Sequence, residues 1–269
     1  MEVTFKSGGR KIFGMVEFPS SVLPAPAGDH PVLLSPAPAA ILCHGWTNSM
    51  TTCPLINDTA KLLLSLGFIV CRFDFYGSGK SDGLFRDKVI SESIINLEDA
   101  ISYFSSQDYI LPGHIGLWGR SLGATIAAIC STKRGIKTSV LISCILDIKR
   151  NFYDYYIRGG KSDYTPVSSK GAAVGIVKGD YELSRNFFKE LDDIETRLKT
   201  ELQKSQSVLI IQGDQDQRAE VESARNIFNL VHEPRSLYVL KNCNHAYTGH
   251  EEEVLGVQGE WYKTNLLNQ

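Results

Sequence analysis

Short apolar runs alternate with helical patterns along most of the chain. Continuous apolar runs predict buried strands at 40–43, 68–75, 115–118, 139–146, 208–212 and 236–240. The segments between them show helical spacing; the helix predicted at 90–106 carries on one face Ile94, Leu97, Ile101 and Phe104. Strands buried on both faces and separated by helices indicate a mostly parallel, doubly wound α/β sheet. Two further β-rich runs, at 3–5 and 12–18, predict an antiparallel edge.

This alternation stops between Asp147 and Gln206. The segment holds five tyrosines, a loop rich in glycine and serine, and a helical pattern that carries Phe187, Leu191, Ile194, Leu198 and Leu202. An insertion of this size between two core strands predicts a cap over the carboxyl edge of the sheet, where open α/β sheets bind ligands. We therefore expect a core formed by 1–146 and 207–269, with a cap at 147–206.

Composition narrows the classes of partner and the cellular compartment. The 269 residues include 28 basic and 30 acidic side chains, a balance that argues against nucleic acid or an anionic membrane as a partner. The six cysteines form no CxxC pair, and several lie in predicted strands, which indicates buried thiols in a reducing compartment. The acidic residue Glu2 near the N-terminus is unlike a signal peptide. Together with the cysteine pattern, it predicts a cytoplasmic protein.

The pattern Gly-x-Ser-x-Gly occurs twice, around Ser121 and around Ser81. Ser121 lies directly between the strand predicted at 115–118 and the helix predicted at 122–131, as the nucleophile does in a strand–turn–helix elbow. Such a sharp turn has little room for side chains two residues before and after the serine, where this chain has glycine. Ser81 follows its strand by several residues and precedes no helix. We therefore predict Ser121 as the nucleophile and Ser81 as a turn residue.

The segment 77–81, Gly-Ser-Gly-Lys-Ser, is similar to the end of a phosphate-binding loop. The complete motif needs a glycine at position 74, where this chain has aspartate, and a helix directly after the lysine and serine. Neither requirement is met. The segment is predicted to be a glycine-rich turn, and nucleotide binding is not expected.

A serine nucleophile needs a base and an acid that orients the base. Asp216 and His245 each follow a predicted strand, and the carboxyl ends of parallel strands meet at one edge of the sheet. We therefore expect both side chains to approach Ser121, in the chain order that α/β-hydrolases use. The alternative acid is Asp214, whose place at the end of its strand suits a residue that shapes the turn. The alternative base is His250, which precedes three glutamates at a predicted helix start.

Acyl transfer also needs two donors for the oxyanion. The N–H of Leu122 begins the helix after the elbow, and the N–H of Trp46 lies in the loop after the strand at 40–43. Gly45 allows that loop to turn towards the site. We expect Trp46 and Leu122 to be the donors, and His44 to have a structural role.

With these residues located, nearly the whole chain resembles the cinnamoyl/feruloyl esterase group of the α/β-hydrolases. The motifs that carry the resemblance are HGWT at 44–47, RFDFYGSGKSDG at 72–83, GRSLG at 119–123, GDQD at 213–216 and NH at 244–245. The resemblance implies the same catalytic triad, the same oxyanion donors and a cap inserted at the same place. The elbow differs from the usual GHSQG of this group at Arg120 and Leu122, which alters the floor of the pocket.

These features predict a serine esterase that forms an acyl-enzyme with feruloyl, cinnamoyl or other small acyl esters and needs neither cofactor nor metal. Tyr155 and Tyr156 in the predicted cap are candidates for binding an aromatic acyl group. Monoacylglycerol lipase, acyl-thioesterase and aminopeptidase activities use the same machinery. A catalytically silent, ligand-binding protein of this fold is the alternative outside the enzymes.

Overall fold

The computed structural model describes residues 1–20, 35–153, 166–167, 175–178 and 181–267. The strands in chain order are β1 Glu2–Ser7, β2 Arg10–Glu17, β3 Ala37–Cys43, β4 Ile69–Phe73, β5 Ile110–Arg120, β6 Ile136–Ile142, β7 Pro166–Val167, β8 Gly175–Lys178, β9 Tyr181–Leu183, β10 Gln206–Gly213 and β11 His232–Leu240. Eight of them form one sheet in the order β1-β2-β4-β3-β5-β6-β10-β11. The pairs β1–β2 and β2–β4 are antiparallel and the other pairs are parallel, which confirms the predicted fold class.

The helices include those predicted at 90–106 and 122–131, whose C-terminal ends each differ from the prediction by one residue. They are α1 Ile56–Ser65, α2 Ile90–Ser105, α3 Leu122–Cys130, α4 Ile148–Tyr153, α5 Arg185–Lys189, α6 Leu191–Leu202, α7 Val221–Leu230 and α8 Glu251–Tyr262, which continues into a π-helical turn, Lys263–Leu267. A 3₁₀ turn, Phe85–Asp87, precedes α2. The face predicted for α2 is buried, since Ile94, Leu97 and Phe104 have no exposed surface.

Apolar side chains form a core on each face of the sheet. Successive residues of β3 alternate between them: Ile41 and Cys43 belong to the first core, and Ala40 and Leu42 to the second. The first core also includes buried residues of α2, α3, α6 and α7, and the second includes those of α1 and α8. Because a core covers each face of the sheet, both sets of side chains in the central strands are buried, which explains why these strands are continuously apolar.

Between β6 and β10 the chain forms α4, a small antiparallel sheet of β7, β8 and β9, and then α5 and α6. The apolar pattern predicted there is buried, from Phe187 to Leu202, and α6 packs against α3 and α4. Neither α4 nor the small sheet was predicted, because their short segments have no clear periodicity. The assignment of 147–206 as a cap remains a prediction, and Tyr155 and Tyr156 lie outside the described residues.

All six cysteines are free and buried, as predicted for Cys43, Cys71 and Cys144.

Among the described residues, no helix has both the length and the apolar character needed to cross a membrane.

Candidate active site

Ser121 lies at the turn between β5 and α3 in a backbone conformation that is rare for residues other than glycine. Its φ is 56° and its ψ is −126°. The turn is held by the Ser121 N–H, which donates to the Ile142 carbonyl at 2.8 Å, and by the Ser121 carbonyl, which accepts from the Ala124 N–H at 2.9 Å. Non-glycine residues keep such strained backbone angles where the surrounding structure enforces them, often at functional sites.

Two glycines make this turn possible by letting backbone segments approach closely. A Cβ added at Gly119 would lie 2.4 Å from the carbonyl oxygen of Gly123. A Cβ added at Gly123 would lie 2.4 Å from the carbonyl oxygens of Cys43 and His44, at the end of β3. The two glycines therefore let α3 pack directly against the ends of β5 and β3, as expected from the elbow motif.

The loop after β3 lies beside the nucleophile. A Cβ built on Gly45 would be 3.6 Å from the Cβ of Ser121, so the Gly45–Trp46 peptide borders the serine. Leu122 is the first residue of α3, where backbone N–H groups have no partner within the helix. Gly45 and Leu122 thus both adjoin Ser121, and the role of the Trp46 and Leu122 N–H groups as oxyanion donors remains a prediction.

His44 holds the peptide that contains the Trp46 N–H. The Phe75 N–H donates to His44 Nε2 at 3.1 Å, so Nδ1 carries the proton and donates to the Gly45 carbonyl at 2.7 Å. The imidazole is buried, and burial, together with the nearby charge of Lys88, lowers its pKa to about 3. His44 is therefore neutral at ordinary pH and orients the loop.

Asp216 is buried and surrounded by donors. Its Oδ2 accepts from Ser143 Oγ at 2.6 Å and from His245 Nδ1 at 2.8 Å, and its Oδ1 accepts from the Arg218 and Ala219 N–H groups. Burial by itself raises the pKa of Asp216. The hydrogen bonds from His245, Ser143 and Ala219 and the charge of a protonated His245 outweigh burial, and the pKa falls below its usual value.

The contact with Asp216 sets the tautomer of His245. Because a carboxylate accepts and cannot donate, Nδ1 carries the proton and Nε2 is left as the basic nitrogen. Within the described residues no hydrogen bond joins His245 to Ser121, but both line one cavity of about 270 Å³. Catalytic hydrogen bonds are often long without substrate and tighten when it binds.

The cavity is bordered by cationic and aromatic side chains. Besides Ser121 and His245, its lining includes Trp46, Phe152, Arg120 and Arg218, and the described lining contains no carboxylate. Arg120 is 4% exposed, and its Nη2 donates to the His245 carbonyl. Arg120 thus ties the turn at Ser121 to the loop that carries His245.

The alternative candidates have structural partners. Ser81 Oγ donates to the Asp74 carbonyl at 2.6 Å and accepts from the Phe13 N–H at 2.9 Å. The Asp74 carboxylate accepts from the Lys80 N–H, and a Cβ on Gly79 would lie 2.0 Å from it. A carboxylate therefore sits within the turn that was compared with a phosphate-binding loop.

The other acid and the other base lie apart from the cavity lining. Asp214 is exposed, and its Oδ1 accepts a long hydrogen bond of 3.4 Å from the Cys243 N–H. His250 precedes α8 and faces Glu253 across 3.5 Å.

Sequence reasoning missed three side chains that support the site. Ser143 donates to Asp216 and is bonded to the Tyr247 hydroxyl at 2.8 Å, and Lys88 donates to the Trp46 carbonyl at 3.0 Å. Ser143 directly follows β6, but the strand predicted at 139–146 includes it, so the rule that located Asp216 and His245 did not find it. No sequence signal marked Tyr247 or Lys88.

A comparison with protein families identifies the family to which the chain belongs. The family model of X-Pro dipeptidyl-peptidase (S15 family) matches residues 20–175, more than half of the chain. The chain therefore belongs to the S15 family, a family of hydrolases. The predicted triad and oxyanion residues were identified from the sequence independently of this match, which ends before Asp216 and His245.

Similar structures show that the fold is that of the α/β-hydrolases. Est1E from Butyrivibrio proteoclasticus with ferulic acid bound has a TM-score of 0.78 and 21% identity, over 99% of this chain and 100% of that one. The α/β-hydrolase GrgF from Penicillium sp. sh18 has a TM-score of 0.74 and 19% identity, over 99% of each chain.

A curated relative matches over a shorter region. The thiohydrolase aneE of Aspergillus aculeatus is 37% identical over 100 residues, which are 36% of this chain and 31% of that protein. The chain matches less than a third of the length of the curated relatives.

Proposed function

We propose that this protein is a serine hydrolase that cleaves small carboxylic esters through an acyl-enzyme intermediate. The observation that carries the proposal is the strained elbow at Ser121, which shares a cavity with a histidine whose Nδ1 is held by a buried aspartate. This combination of nucleophile, base and orienting acid is the arrangement of serine hydrolases.

The proposed reaction has two halves. His245 Nε2 takes the proton of Ser121 as Oγ bonds to the ester carbonyl carbon, and the oxyanion is held by the N–H groups of Trp46 and Leu122. His245 then protonates the leaving alcohol as its C–O bond breaks. In the second half His245 deprotonates water, which attacks the acyl-enzyme, and the proton returns to Oγ as the acid leaves. Asp216 stabilises the imidazolium in both halves.

Hydroxycinnamic and other short acyl groups are the proposed substrates. The likeness to Est1E, which binds ferulic acid, supports an aromatic acyl group, and the relative described as a thiohydrolase supports thioesters as a variant. Tyr155 and Tyr156 remain predicted contacts of an aromatic acyl group.

The S15 match makes dipeptide release the second candidate. A dipeptidyl-peptidase must accommodate the ammonium group at the N-terminus of its substrate, and ammonium groups pair with carboxylates. Arg120 and Arg218 line the described part of the cavity, and neither guanidinium can pair with an ammonium group. Ester hydrolysis is therefore the better-supported function.

A substrate panel separates these functions. We expect the purified protein to hydrolyse p-nitrophenyl butyrate and a ferulate ester, and to leave Gly-Pro p-nitroanilide uncleaved. Ser121→Ala should reduce turnover by roughly 10⁴-fold or more, because it removes the nucleophile. Cleavage of the anilide alone would instead support the peptidase.

Ser81→Ala is the matched control, since it changes the serine of the other Gly-x-Ser-x-Gly pattern. It removes two hydrogen bonds and should lower stability, with kcat per folded molecule unchanged. Near-normal turnover in Ser121→Ala, or failure of a fluorophosphonate to label Ser121, would refute the proposed mechanism.

A further inference from the structure

Lys88 is a buried cation next to the loop of the predicted oxyanion donor. The residue is 2% exposed, and its Nζ donates to the Trp46 carbonyl at 3.0 Å and to Ser78 Oγ at 2.8 Å. The ammonium group also lies 4.6 Å from the ring centroid of Trp46 and 4.9 Å from that of Phe85. Lys88 therefore contacts Trp46 at both its backbone and its side chain.

Burying this charge is unfavourable for the fold. Burial lowers the pKa of Lys88 to about 7, and the charge of Asp74 opposes the shift. In the described part of the chain Asp74 makes no salt bridge with Lys88; its carboxylate accepts from the N–H groups of Met50 and Lys80. A buried lysine without an ion pair destabilises a protein relative to an apolar side chain of similar size, so its presence calls for a role beyond packing.

His44 and Lys88 restrain the two peptide units that flank the Cα of Trp46. The carbonyl of Gly45, on the N-terminal side of Trp46, accepts from His44, and the carbonyl of Trp46 itself accepts from Lys88. The Trp46 indole packs against Phe85 at 5.0 Å between ring centroids. With both flanking carbonyls and the ring fixed, the direction of the Trp46 N–H is fixed as well.

We propose that Lys88 is a positioning residue for ester hydrolysis, holding Trp46 so that its N–H points at the oxyanion that forms on the substrate. The inference rests on the proposed function and adds to it a residue outside the triad. Lys88 has no contact with substrate in this role and acts only through Trp46. An oxyanion donor stabilises the transition state more than the ground state, so its misplacement should lower kcat and leave KM nearly unchanged.

Lys88→Met tests this role, since it keeps an unbranched side chain one atom shorter than lysine and removes the amino group with its charge and donors. We expect kcat for p-nitrophenyl butyrate to fall roughly 10- to 100-fold, because a displaced donor weakens oxyanion binding. Affinity for a trifluoromethyl ketone, which forms an oxyanion adduct with the serine, should fall by the same factor. Lys88→Gln retains a neutral donor, so its kcat and its affinity for the ketone should lie between those of Lys88→Met and the wild type. This variant replaces Lys88→Met in the test if the methionine variant does not fold.

Ser78→Ala is the matched control because it removes the other acceptor of Lys88 and leaves Trp46 in contact with the ammonium group. Its kcat should remain near that of the wild type. The inference is overturned if folded Lys88→Met keeps its kcat, if its affinity for the ketone does not fall with kcat, or if Ser78→Ala loses as much activity. A wild type without Ser121-dependent ester hydrolysis would overturn the proposed function instead.

Discussion

At the scale of single residues, the support of Asp216 shows where prediction from sequence ends. Strand order alone indicated that Asp216 and His245 meet at one edge of the sheet, because parallel strands end there together. The hydroxyl groups of Ser143 and Tyr247 reach the same place from 73 and 31 residues away, respectively, measured from Asp216. A serine after a strand and a tyrosine in a loop have many ordinary roles, so only coordinates show that Ser143 binds Asp216 and that Tyr247 binds Ser143.

Ser143→Ala should destabilise the protein in a pH-dependent manner. The pKa of Asp216 is lower in the folded than in the unfolded state, so its carboxylate stabilises the fold above the unfolded pKa, and this stability is lost as the pH falls through the folded pKa. Removing the Ser143 donor should reduce the free energy of unfolding by about 2 kcal/mol at pH 7, and the deficit should shrink below about pH 4. Urea denaturation at pH 7, 5 and 3.5 measures this change.

Ser139→Ala provides the comparison for that series. Ser139 is also a buried serine of this region, and its hydroxyl has no hydrogen-bond partner in the described part of the chain. Loss of the Ser139 hydroxyl should lower the free energy of unfolding only slightly, and by the same amount at each pH. A deficit in Ser143→Ala that stays constant from pH 7 to 3.5 would contradict the proposed link to the Asp216 charge.

At the scale of elements, the elbow was predictable because its motif records a steric requirement. Glycine is needed wherever backbone meets backbone, and both glycines around Ser121 meet this condition. The ends of neighbouring elements were less predictable: β5 begins at Ile110, five residues before its apolar run. The pairing of Ile110 with Ala37 extends the strand through 111–114, a segment that contains a proline and a glycine and has no strand-like alternation.

Gly123→Ala should therefore disrupt the junction of β3 and α3. The new Cβ would meet two backbone carbonyl oxygens, which cannot move as a flexible side chain would, and we expect a loss of about 3 kcal/mol or more in the free energy of unfolding. Gly256→Ala in α8 is the control, because nothing lies within 4 Å of its added Cβ. That variant should be stabilised by up to about 1 kcal/mol. Equal effects in thermal or urea unfolding would contradict the steric explanation.

At the scale of the whole molecule, the order of strands and helices in the core could be predicted from periodicity. The packing contacts between the core and the segment at 147–206 could not. The pattern around Phe187 predicted a helix but not its partner. In the structure Phe187 is fully buried, and its ring centroid lies 4.9 Å from that of Trp46 and 4.7 Å from that of Phe152. Contacts between residues this distant in sequence depend on tertiary packing, which a periodic pattern does not encode.

Phe187→Ala should accordingly affect both stability and catalysis. Loss of a buried phenylalanine should lower the free energy of unfolding by about 3–5 kcal/mol, and the space left beside Trp46 should loosen this proposed oxyanion donor and lower kcat. Phe68→Ala is the matched control, because Phe68 is equally buried but packs on Tyr262 in the other core, away from Trp46. Measured at a temperature where both variants remain folded, only Phe187→Ala should lose kcat. If both variants lose kcat equally, activity depends on general stability, and the inserted segment does not support the oxyanion donor through Phe187.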